Sequence, residues 1–265
     1  MRYETLTLKI DGMQATVTLN RPEVRNAFNE TMIAELTTVL TELSTHSTVR
    51  VVVLAAMGPA FCAGADLNWM KRMASFSEAE NRADAAQLAA MLAAIYRCSK
   101  PVLARVHGDV YAGGVGLVAA CDIVVAADSV RFCLSEARLG LIPATIAPYV
   151  IRALGEQASR RYFLSAEAFD CATAWRLGLV SEICAGTDID AELDARVQQI
   201  SAALGANGPH AVSAGKRLVQ EVAGQALDDT LIAHTVARIA EVRASDEGRE
   251  GIASFLDKRT PRWRL

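Results

Sequence analysis

The chain has 265 residues, 52% of them hydrophobic and 22% charged, and its formal net charge is −3. This length suffices for one large core with an appendage, and the weak negative charge predicts no general attraction to nucleic acid or to anionic membranes. The six cysteines form no CxxC pair and no apolar run is long enough to span a membrane, so we predict reduced, buried thiols in a cytoplasmic protein.

The chain opens with strand patterns and then changes to a helical one. Period-two alternation at 6–10, a turn at Asp11-Gly12 and a second alternating run at 15–19 predict a hairpin. Apolar residues at 32–43 follow helical spacing, and Asn29 is the predicted cap. A first strand-strand-helix unit is therefore expected to end there.

Two further strands are predicted. The β-branched run at 49–54 has the continuous pattern of a strand that is buried on both faces, and residues 101–106 form the next strand. Between them, Ser77 and Glu80 have the spacing of a capping box, which predicts an alanine-rich helix that ends near Arg97.

Short strands and helices are predicted for the rest of the chain. We expect helices at 117–120, 157–164 and 167–177, and strands at 123–126, 131–134 and 179–183. Beyond Ile189 the pattern is helical, with a break at Asn207-Gly208-Pro209. These last helices have more apolar positions than one solvent-facing layer needs, which indicates either a self-association interface or packing on the chain's own sheet.

Two glycine-bearing segments follow the buried strands: residues 61–66, Phe-Cys-Ala-Gly-Ala-Asp, and residues 111–116, Tyr-Ala-Gly-Gly-Val-Gly. Gly113 and Gly114 lack a Cβ atom, so a ligand could approach their backbone closely. Backbone N–H groups that are fixed before a reaction begins can stabilise an oxyanion. Because each segment alone also fits an ordinary strand-to-helix turn, the prediction of an oxyanion site depends on the two segments meeting.

Short motifs spread from the first predicted strand to the last helix form one pattern. They are Asn-Arg-Pro at 20–22, Pro-Ala-Phe-Cys-Ala-Gly-Ala-Asp-Leu at 59–67, Lys-Pro-Val at 100–102, Ala-Gly-Gly at 112–114, Cys-Asp at 121–122, Leu-Gly-Leu-Ile-Pro at 139–143, Gly-Leu-Val at 178–180 and Phe-Leu-Asp-Lys-Arg at 255–259. This pattern resembles the crotonase (enoyl-CoA hydratase/isomerase) superfamily.

The resemblance implies an α/β fold, in which a crotonase-like spiral of ββα turns precedes a C-terminal helical trimerisation region. Residues 1–200 would form the spiral core with the acyl-CoA site, and residues 201–265 the oligomerisation region. The implied assembly is a homotrimer or a dimer of trimers. The implied substrate is an acyl-CoA thioester, so coenzyme A is part of the substrate and we expect neither a separate cofactor nor a metal.

Matching the motifs residue by residue implies several site residues. The thioester oxygen would accept hydrogen bonds from the N–H groups of Ala65 and Gly113. Contacts to coenzyme A are implied at Val24, Arg25, Ala63, Asp66, Leu67 and, toward a neighbouring subunit, Lys258. We place the acyl pocket near Trp69, Met70, Gly114, Gly116 and Arg138. Capping of the helix that runs to Met73 is an equal alternative for Asp66, and apolar packing is the alternative for Trp69 and Met70.

Glu136 is the predicted acid/base. Hydratases of the family usually have two glutamates; Glu136 matches the second, whereas Gly116, which cannot ionise, occupies the first position. The mainly apolar residues at 132–137 would raise the pKa of Glu136 by desolvation, although the residues alone also fit a surface or salt-bridged glutamate. One carboxylate could activate water and then return the proton to the α-carbon, which predicts an enoyl-CoA hydratase, a lyase; a Δ3,Δ2-enoyl-CoA isomerase fits a single glutamate equally well.

Longer stretches at 64–73, 139–150 and 160–167 resemble bacterial methylglutaconyl-CoA hydratases of leucine breakdown, which favours hydration of a branched enoyl-CoA. A distal carboxylate in such a substrate would need a cation, and Arg138, Lys71 and Arg72 are candidates, with solvated surface charge as the alternative. A non-catalytic acyl-CoA-binding or RNA-binding homologue is a lesser alternative, and the acidic balance of the chain counts against RNA.

Overall fold

A computed structural model of the protein describes residues 3–264, and the described chain begins with the predicted hairpin. Strand β1 (Leu6–Asp11) pairs antiparallel with β2 (Gln14–Leu19). Helix α1 (Glu30–Thr45) follows, and the Asn29 side chain accepts a hydrogen bond from the Met32 N–H, as its prediction as a cap required.

Each following turn of the chain places one strand in a large sheet and the next strand in a small sheet. Strands β3 (Val51–Ala56), β5 (Val102–Val106) and β7 (Ile123–Ala127) enter the large sheet, and strands β4 (Ala60–Cys62), β6 (Asp109–Tyr111) and β8 (Arg131–Cys133) enter the small one. Helices complete the turns: α2 (Leu67–Met73), α3 (Glu78–Arg97) and α4 (Gly113–Ala120). This succession is the predicted spiral of ββα turns.

Both sheets are mainly parallel. Within the described residues the large sheet has the order β1-β2-β3-β5-β7-β10 and the small sheet the order β4-β6-β8-β9, where β9 is Ala168–Asp170 and β10 is Glu182–Cys184. The antiparallel pairs are β1 with β2 and β8 with β9. All six residues of β3 are buried, as expected of a strand inside a parallel sheet that is covered on both faces.

The remaining helices complete the fold. They are α5 (Ala147–Leu154), α6 (Glu156–Ser165), α7 (Cys171–Leu177), α8 (Ile189–Gly205), α9 (Pro209–Val222), α10 (Asp229–Ala244) and α11 (Asp246–Leu256). Helix α8 packs against β5 and β7 and runs across the predicted boundary between residues 200 and 201. Among residues 3–264, every helix is too short or too polar to cross a membrane.

Two predicted helices begin at other residues in the structure. Helix α4 begins at Gly113 rather than at residue 117, because buried packing of Gly114 and Val115 outweighs the low helix propensity of the glycines. The helix predicted at 167–177 begins only at Cys171, because the preceding residues pair with β8 as β9.

The strand predicted at 179–183 was also misplaced, and three elements besides β9 were missed. The N–H groups of Leu179 and Val180 donate back to the Ala174 carbonyl, so these residues end helix α7 and the strand begins later, at Glu182. Strands β4 and β6, of three residues each, and helix α5 were not predicted. Their length gives too few repeats for a periodic pattern to be read.

Candidate active site

The first glycine-bearing segment leaves the N–H group of Ala65 free. Phe28 forms an isolated parallel bridge with this segment: its N–H donates to the Gly64 carbonyl (2.9 Å), and its carbonyl accepts from the Asp66 N–H (3.0 Å). The carbonyl and the N–H of one trans peptide point in opposite directions, so the Ala65 N–H points away from Phe28. Within residues 3–264 this N–H has no hydrogen-bond acceptor in the protein.

The second segment presents the N–H group of Gly113 in the same way. The Ala112 carbonyl accepts a hydrogen bond from the Val115 N–H (2.9 Å), and the Ala112 N–H donates to the Cys133 carbonyl (2.7 Å). The Gly113 N–H shares a peptide with the Ala112 carbonyl and therefore points the other way, out of the first turn of α4. N–H groups in the first turn of a helix have no partner inside the helix, and the helix dipole favours negative charge beside them.

The two segments lie in direct contact. A Cβ atom built on Gly64 would lie 3.1 Å from the Cβ atom of Ala112 and 3.3 Å from the Tyr111 carbonyl oxygen. A Cβ atom built on Gly114 would lie 2.8 Å from the Cys62 carbonyl oxygen. The backbones of the two segments therefore meet, as the oxyanion prediction requires. Joint action of the Ala65 and Gly113 N–H groups on one oxyanion stays a prediction.

Phe28 supports both segments and was not predicted from the sequence. Its ring occupies the place that a side chain at Gly113 would need, and its centroid lies 6.1 Å from that of Trp69. The one local signal is its position directly before the cap Asn29, which suggests a hydrophobic staple to helix α1. That signal does not predict a contact with the glycine-bearing segments. Its contacts with the glycine-bearing segments join residues far apart in the chain.

Glu136 lies shortly after β8, the strand that pairs with β6 beside the second segment. Its Oε2 atom is buried and, within the described residues, has no hydrogen-bond partner. Burial raises the pKa of the Glu136 carboxyl group, and a hydrogen bond from its own backbone N–H lowers it by less. The side chain is half-buried and forms no salt bridge to another described residue, so the salt-bridged alternative is not observed; its role as acid/base stays a prediction.

The position of the family's other glutamate is closed by packing. Gly116 is buried in α4, and the Ile146 side chain occupies the space that a Cβ atom on Gly116 would need, with the Ile146 Cβ atom only 2.6 Å from that point. Ile146 is itself 1% exposed and precedes the first residue of α5. The site therefore lacks a carboxyl group at residue 116 and has no room for one while Ile146 keeps this position.

Part of the predicted coenzyme A contacts lie together. Arg25 and Ala63 line a cavity of about 300 Å³ with Pro59, Ala60, Asp109 and Tyr111. The Ala63 N–H donates to the Arg25 carbonyl (3.0 Å), and Arg25 has a left-handed backbone conformation. Val24 and Leu67 are exposed. Asp109 and Tyr111 were not predicted from the sequence to line this cavity.

Asp66 acts as the helix cap that the sequence offered as an alternative. Its Oδ1 atom accepts hydrogen bonds from the Asn68 and Trp69 N–H groups at the start of α2. Its Oδ2 atom accepts a hydrogen bond from Arg21 at 2.8 Å, and both side chains are largely buried. Burial raises the pKa of Asp66, but the Arg21 and backbone hydrogen bonds outweigh it and lower the pKa overall. A contact from Asp66 to coenzyme A stays a prediction.

Trp69 is part of the core of the molecule, whereas Met70 is half-buried. The Trp69 Nε1 group donates to the Asp84 carboxylate (3.0 Å), which ties α2 to α3. The alternative of packing is thus the one observed for Trp69. Any contact of Trp69 or Met70 with an acyl chain stays a prediction.

The predicted cations differ in their partners. Arg138 is exposed and donates to the Ala166 carbonyl (2.5 Å). Arg72 binds both carboxylate oxygens of Glu30. Lys71 is exposed, and within the described residues its side chain has no hydrogen-bond partner. Lys258 follows the end of α11 and is exposed. Its contact with coenzyme A of a neighbouring subunit stays a prediction.

Comparisons with known proteins show the family to which the chain belongs. The family model described as enoyl-CoA hydratase/isomerase matches residues 11–265. The crystal structure of an enoyl-CoA hydratase from Shewanella pealeana is 38% identical and superposes with a TM-score of 0.94, covering 99% of this chain and 97% of that chain.

Two curated relatives have names that state a substrate. The 2,3-dehydroadipyl-CoA hydratase of Escherichia coli is 33% identical over 247 residues, which are 92% of this chain and 92% of the relative. The mevalonyl-coenzyme A hydratase of Aspergillus fumigatus is 32% identical over 252 residues, which are 94% of this chain and 90% of the relative. With a family model that covers nearly the whole chain, the protein is an enzyme of the enoyl-CoA hydratase/isomerase family and belongs to the crotonase superfamily.

Proposed function

We propose that the protein adds water across the α,β double bond of an enoyl-CoA thioester. The observation that carries this proposal is the pair of N–H groups, at Ala65 and Gly113, on two segments in contact; within residues 3–264 neither has a protein acceptor. A thioester oxygen that accepts from both would be stabilised as it gains negative charge. In measured cases one such donor contributes about 3–4 kcal/mol to lowering the barrier.

Glu136 supplies the proton transfers in this proposal. Its carboxylate removes a proton from water, whose oxygen adds to the β-carbon while the electrons of the double bond move toward the thioester oxygen. The protonated Glu136 then returns the proton to the α-carbon as the enolate collapses. The buried Oε2 atom, which has no partner among the described residues, and the raised pKa support a group that takes up and returns a proton during the reaction.

We propose a branched substrate with a distal carboxylate, of the methylglutaconyl type found in leucine degradation. The names of two relatives support this class, since dehydroadipyl-CoA has a distal carboxylate and mevalonyl-CoA is branched. Lys71, on the last turn of α2 and without a side-chain partner among the described residues, is the best candidate for the cation. Arg72 is less suited because Glu30 already binds it on both oxygens.

The second candidate is a Δ3,Δ2-enoyl-CoA isomerase. The observation that favours it is the closed position at Gly116, where Ile146 leaves no space for a second acid. An isomerase moves one proton between the α- and γ-carbons, so a single carboxyl group suffices. Both candidates use the same oxyanion site and differ in whether water takes part.

We further propose that the active form is a homotrimer or a dimer of trimers, with coenzyme A as part of the substrate and without a separate cofactor. Helices α9 and α10 contain no buried residue within this chain, although apolar side chains follow one face of α10. Burial of that face against another copy would remove its apolar surface from water. The unpaired state of all six cysteines supports a reducing compartment such as the cytoplasm.

The experiment that tests the function compares 2-enoyl and 3-enoyl thioesters. Purified protein is incubated with crotonyl-CoA, 3-methylglutaconyl-CoA and a 3-enoyl-CoA, and products are followed by mass spectrometry, where hydration adds the mass of water. We expect hydration of the 2-enoyl thioesters, with 3-methylglutaconyl-CoA preferred. Conversion of the 3-enoyl-CoA without mass change, and no hydration of the others, would establish the isomerase instead.

A further inference from the structure

Ala112 has a backbone conformation that alanine rarely adopts. Its φ and ψ angles are 48° and −124°. Arg25 and Ala166 also have positive φ, but their ψ values of 39° and 23° lie in the ordinary left-handed region. At Ala112 the combination is one that glycine adopts readily and that a Cβ atom makes unfavourable.

Contacts on each side of Ala112 hold it in this conformation. Its N–H donates to the Cys133 carbonyl at the end of β8 (2.7 Å), and its carbonyl accepts from the Val115 N–H in α4 (2.9 Å). Its methyl group lies against Gly64 of the opposite segment, where a built Cβ atom would be 3.1 Å away. The surrounding structure therefore maintains a backbone strain that a glycine at this position would not have.

The ψ angle of Ala112 sets the direction of the Gly113 N–H, because that angle rotates the peptide to which both the Ala112 carbonyl and the Gly113 N–H belong. The methyl group lies beside Gly64, whose carbonyl belongs to the peptide that carries the Ala65 N–H. We infer that Ala112 is a positioning residue: its strained backbone directs the Gly113 N–H, and its methyl group fixes the distance between the two donors. This inference depends on the proposed oxyanion function.

The test is Ala112→Gly, which keeps the backbone path but removes the strain and the methyl spacer. We expect a Tm equal to or above that of the wild type, since glycine adopts this conformation without cost. We expect kcat for hydration to fall about tenfold, with KM within about twofold, because the donors become less well fixed. A residue with a purely structural role would not lower kcat while stability rises.

Two coenzyme A analogues give a readout that does not need turnover. Acetoacetyl-CoA can ionise to an enolate that carries negative charge on the thioester oxygen, whereas a thioether analogue has no carbonyl oxygen. Ala112→Gly should weaken acetoacetyl-CoA binding by about the same factor as kcat and leave thioether binding unchanged. Ala166→Gly is the matched control, since it also removes an alanine with positive φ, outside both glycine-bearing segments; it should raise Tm without changing kcat.

The outcomes separate this inference from the proposed function. Wild-type kcat and wild-type enolate affinity in Ala112→Gly would overturn the positioning role while leaving the hydratase intact. A lower Tm in Ala112→Gly would contradict the strain argument itself. If the wild-type protein binds both analogues equally and hydrates no enoyl thioester, the oxyanion function is wrong and the role of Ala112 is wrong with it.

Discussion

At the scale of single residues, a buried carboxylate oxygen without a partner is a costly feature of a folded protein, and Glu136 has one. Its motif and apolar neighbours were visible in the sequence. Phe28 and Ile146 were not predictable, because each acts through contacts with residues that are remote in the chain. The conformation of Ala112 also left no sequence signal, since alanine is not the residue that such a backbone favours.

The raised pKa of Glu136 predicts a pH-dependent gain of stability in Glu136→Gln. Because burial makes the ionised form less favourable in the folded chain, the carboxylate destabilises the fold above its folded pKa and has no such effect where both states are protonated. We expect the Tm of Glu136→Gln to exceed that of the wild type by about 1–3 °C near pH 8 and to equal it at about pH 4. Differential scanning calorimetry at both pH values measures this.

Glu167→Gln is the matched control for the direction of the Tm change. The pKa of Glu167 is lowered, chiefly by the hydrogen bond from Arg161, so its ionised form is favoured by folding and its loss should not raise Tm at pH 8. A drop in Tm at pH 8 for Glu136→Gln would show that the carboxylate is paired or solvated rather than desolvated.

At the scale of elements, predictions succeeded where a pattern repeats several times or a cap marks the start. The hairpin, helix α1 with its cap Asn29 and helix α3 with its capping box are examples. They failed at the three-residue strands β4, β6 and β9 of the small sheet, and at the start of α4, whose glycines are held in a helix by tertiary packing. The site lies at these short elements, so its segments were recognised by their glycines rather than by periodicity.

The packing of α4 against the start of α5 predicts that Gly116 tolerates no side chain. Gly116→Ala would place a Cβ atom inside the space of the Ile146 side chain, and overpacking of a buried site costs about 1–3 kcal/mol. We expect the free energy of unfolding, measured by urea denaturation, to fall by about this amount. Gly116→Ala should cost less when it is added to Ile146→Ala than when it is added to the wild type, since the two residues share one space.

Gly215→Ala is the control for the same chemical change. Gly215 lies inside helix α9, and a Cβ atom built there meets no atom within 4 Å. Alanine is favoured over glycine in a helix by about 1 kcal/mol, so this variant should be more stable than the wild type. Equal stabilities of Gly116→Ala and Gly215→Ala would mean that Ile146 does not close the position at residue 116.

At the scale of the whole molecule, the C-terminal helices expose an apolar surface that the single chain does not cover. A cavity of about 790 Å³ separates α9, α10 and α11, and α9 is attached to the core through the hydrogen bond from Lys216 to Asp122 (2.7 Å). The surplus of apolar positions was visible in the sequence. The face that these positions form could not be predicted from the sequence, because it depends on how the helices pack on the core.

This surface predicts that one charge on α10 will weaken self-association. Ile232, Val236 and Ile239 lie on one face of the helix by their spacing, and Val236 is 60% exposed. Val236→Asp would place a charge where an apolar partner is expected, at a cost in the assembly and little cost in the single chain. Sedimentation velocity should show a smaller species for Val236→Asp and the wild-type species for Val236→Ile; unchanged assembly in both would place the interface elsewhere.

The central claim is that two backbone N–H groups and one carboxyl group act on the same thioester, and the rate of hydration by Glu136→Gln tests it most directly. Glutamine keeps the size of the side chain but cannot remove a proton from water. We predict that kcat for hydration of a 2-enoyl-CoA falls by about 10²–10⁴-fold, while the affinity for acetoacetyl-CoA, measured by calorimetry, stays within about twofold because the Ala65 and Gly113 N–H groups are unchanged. Hydration by Glu136→Gln at close to the wild-type rate would contradict the account.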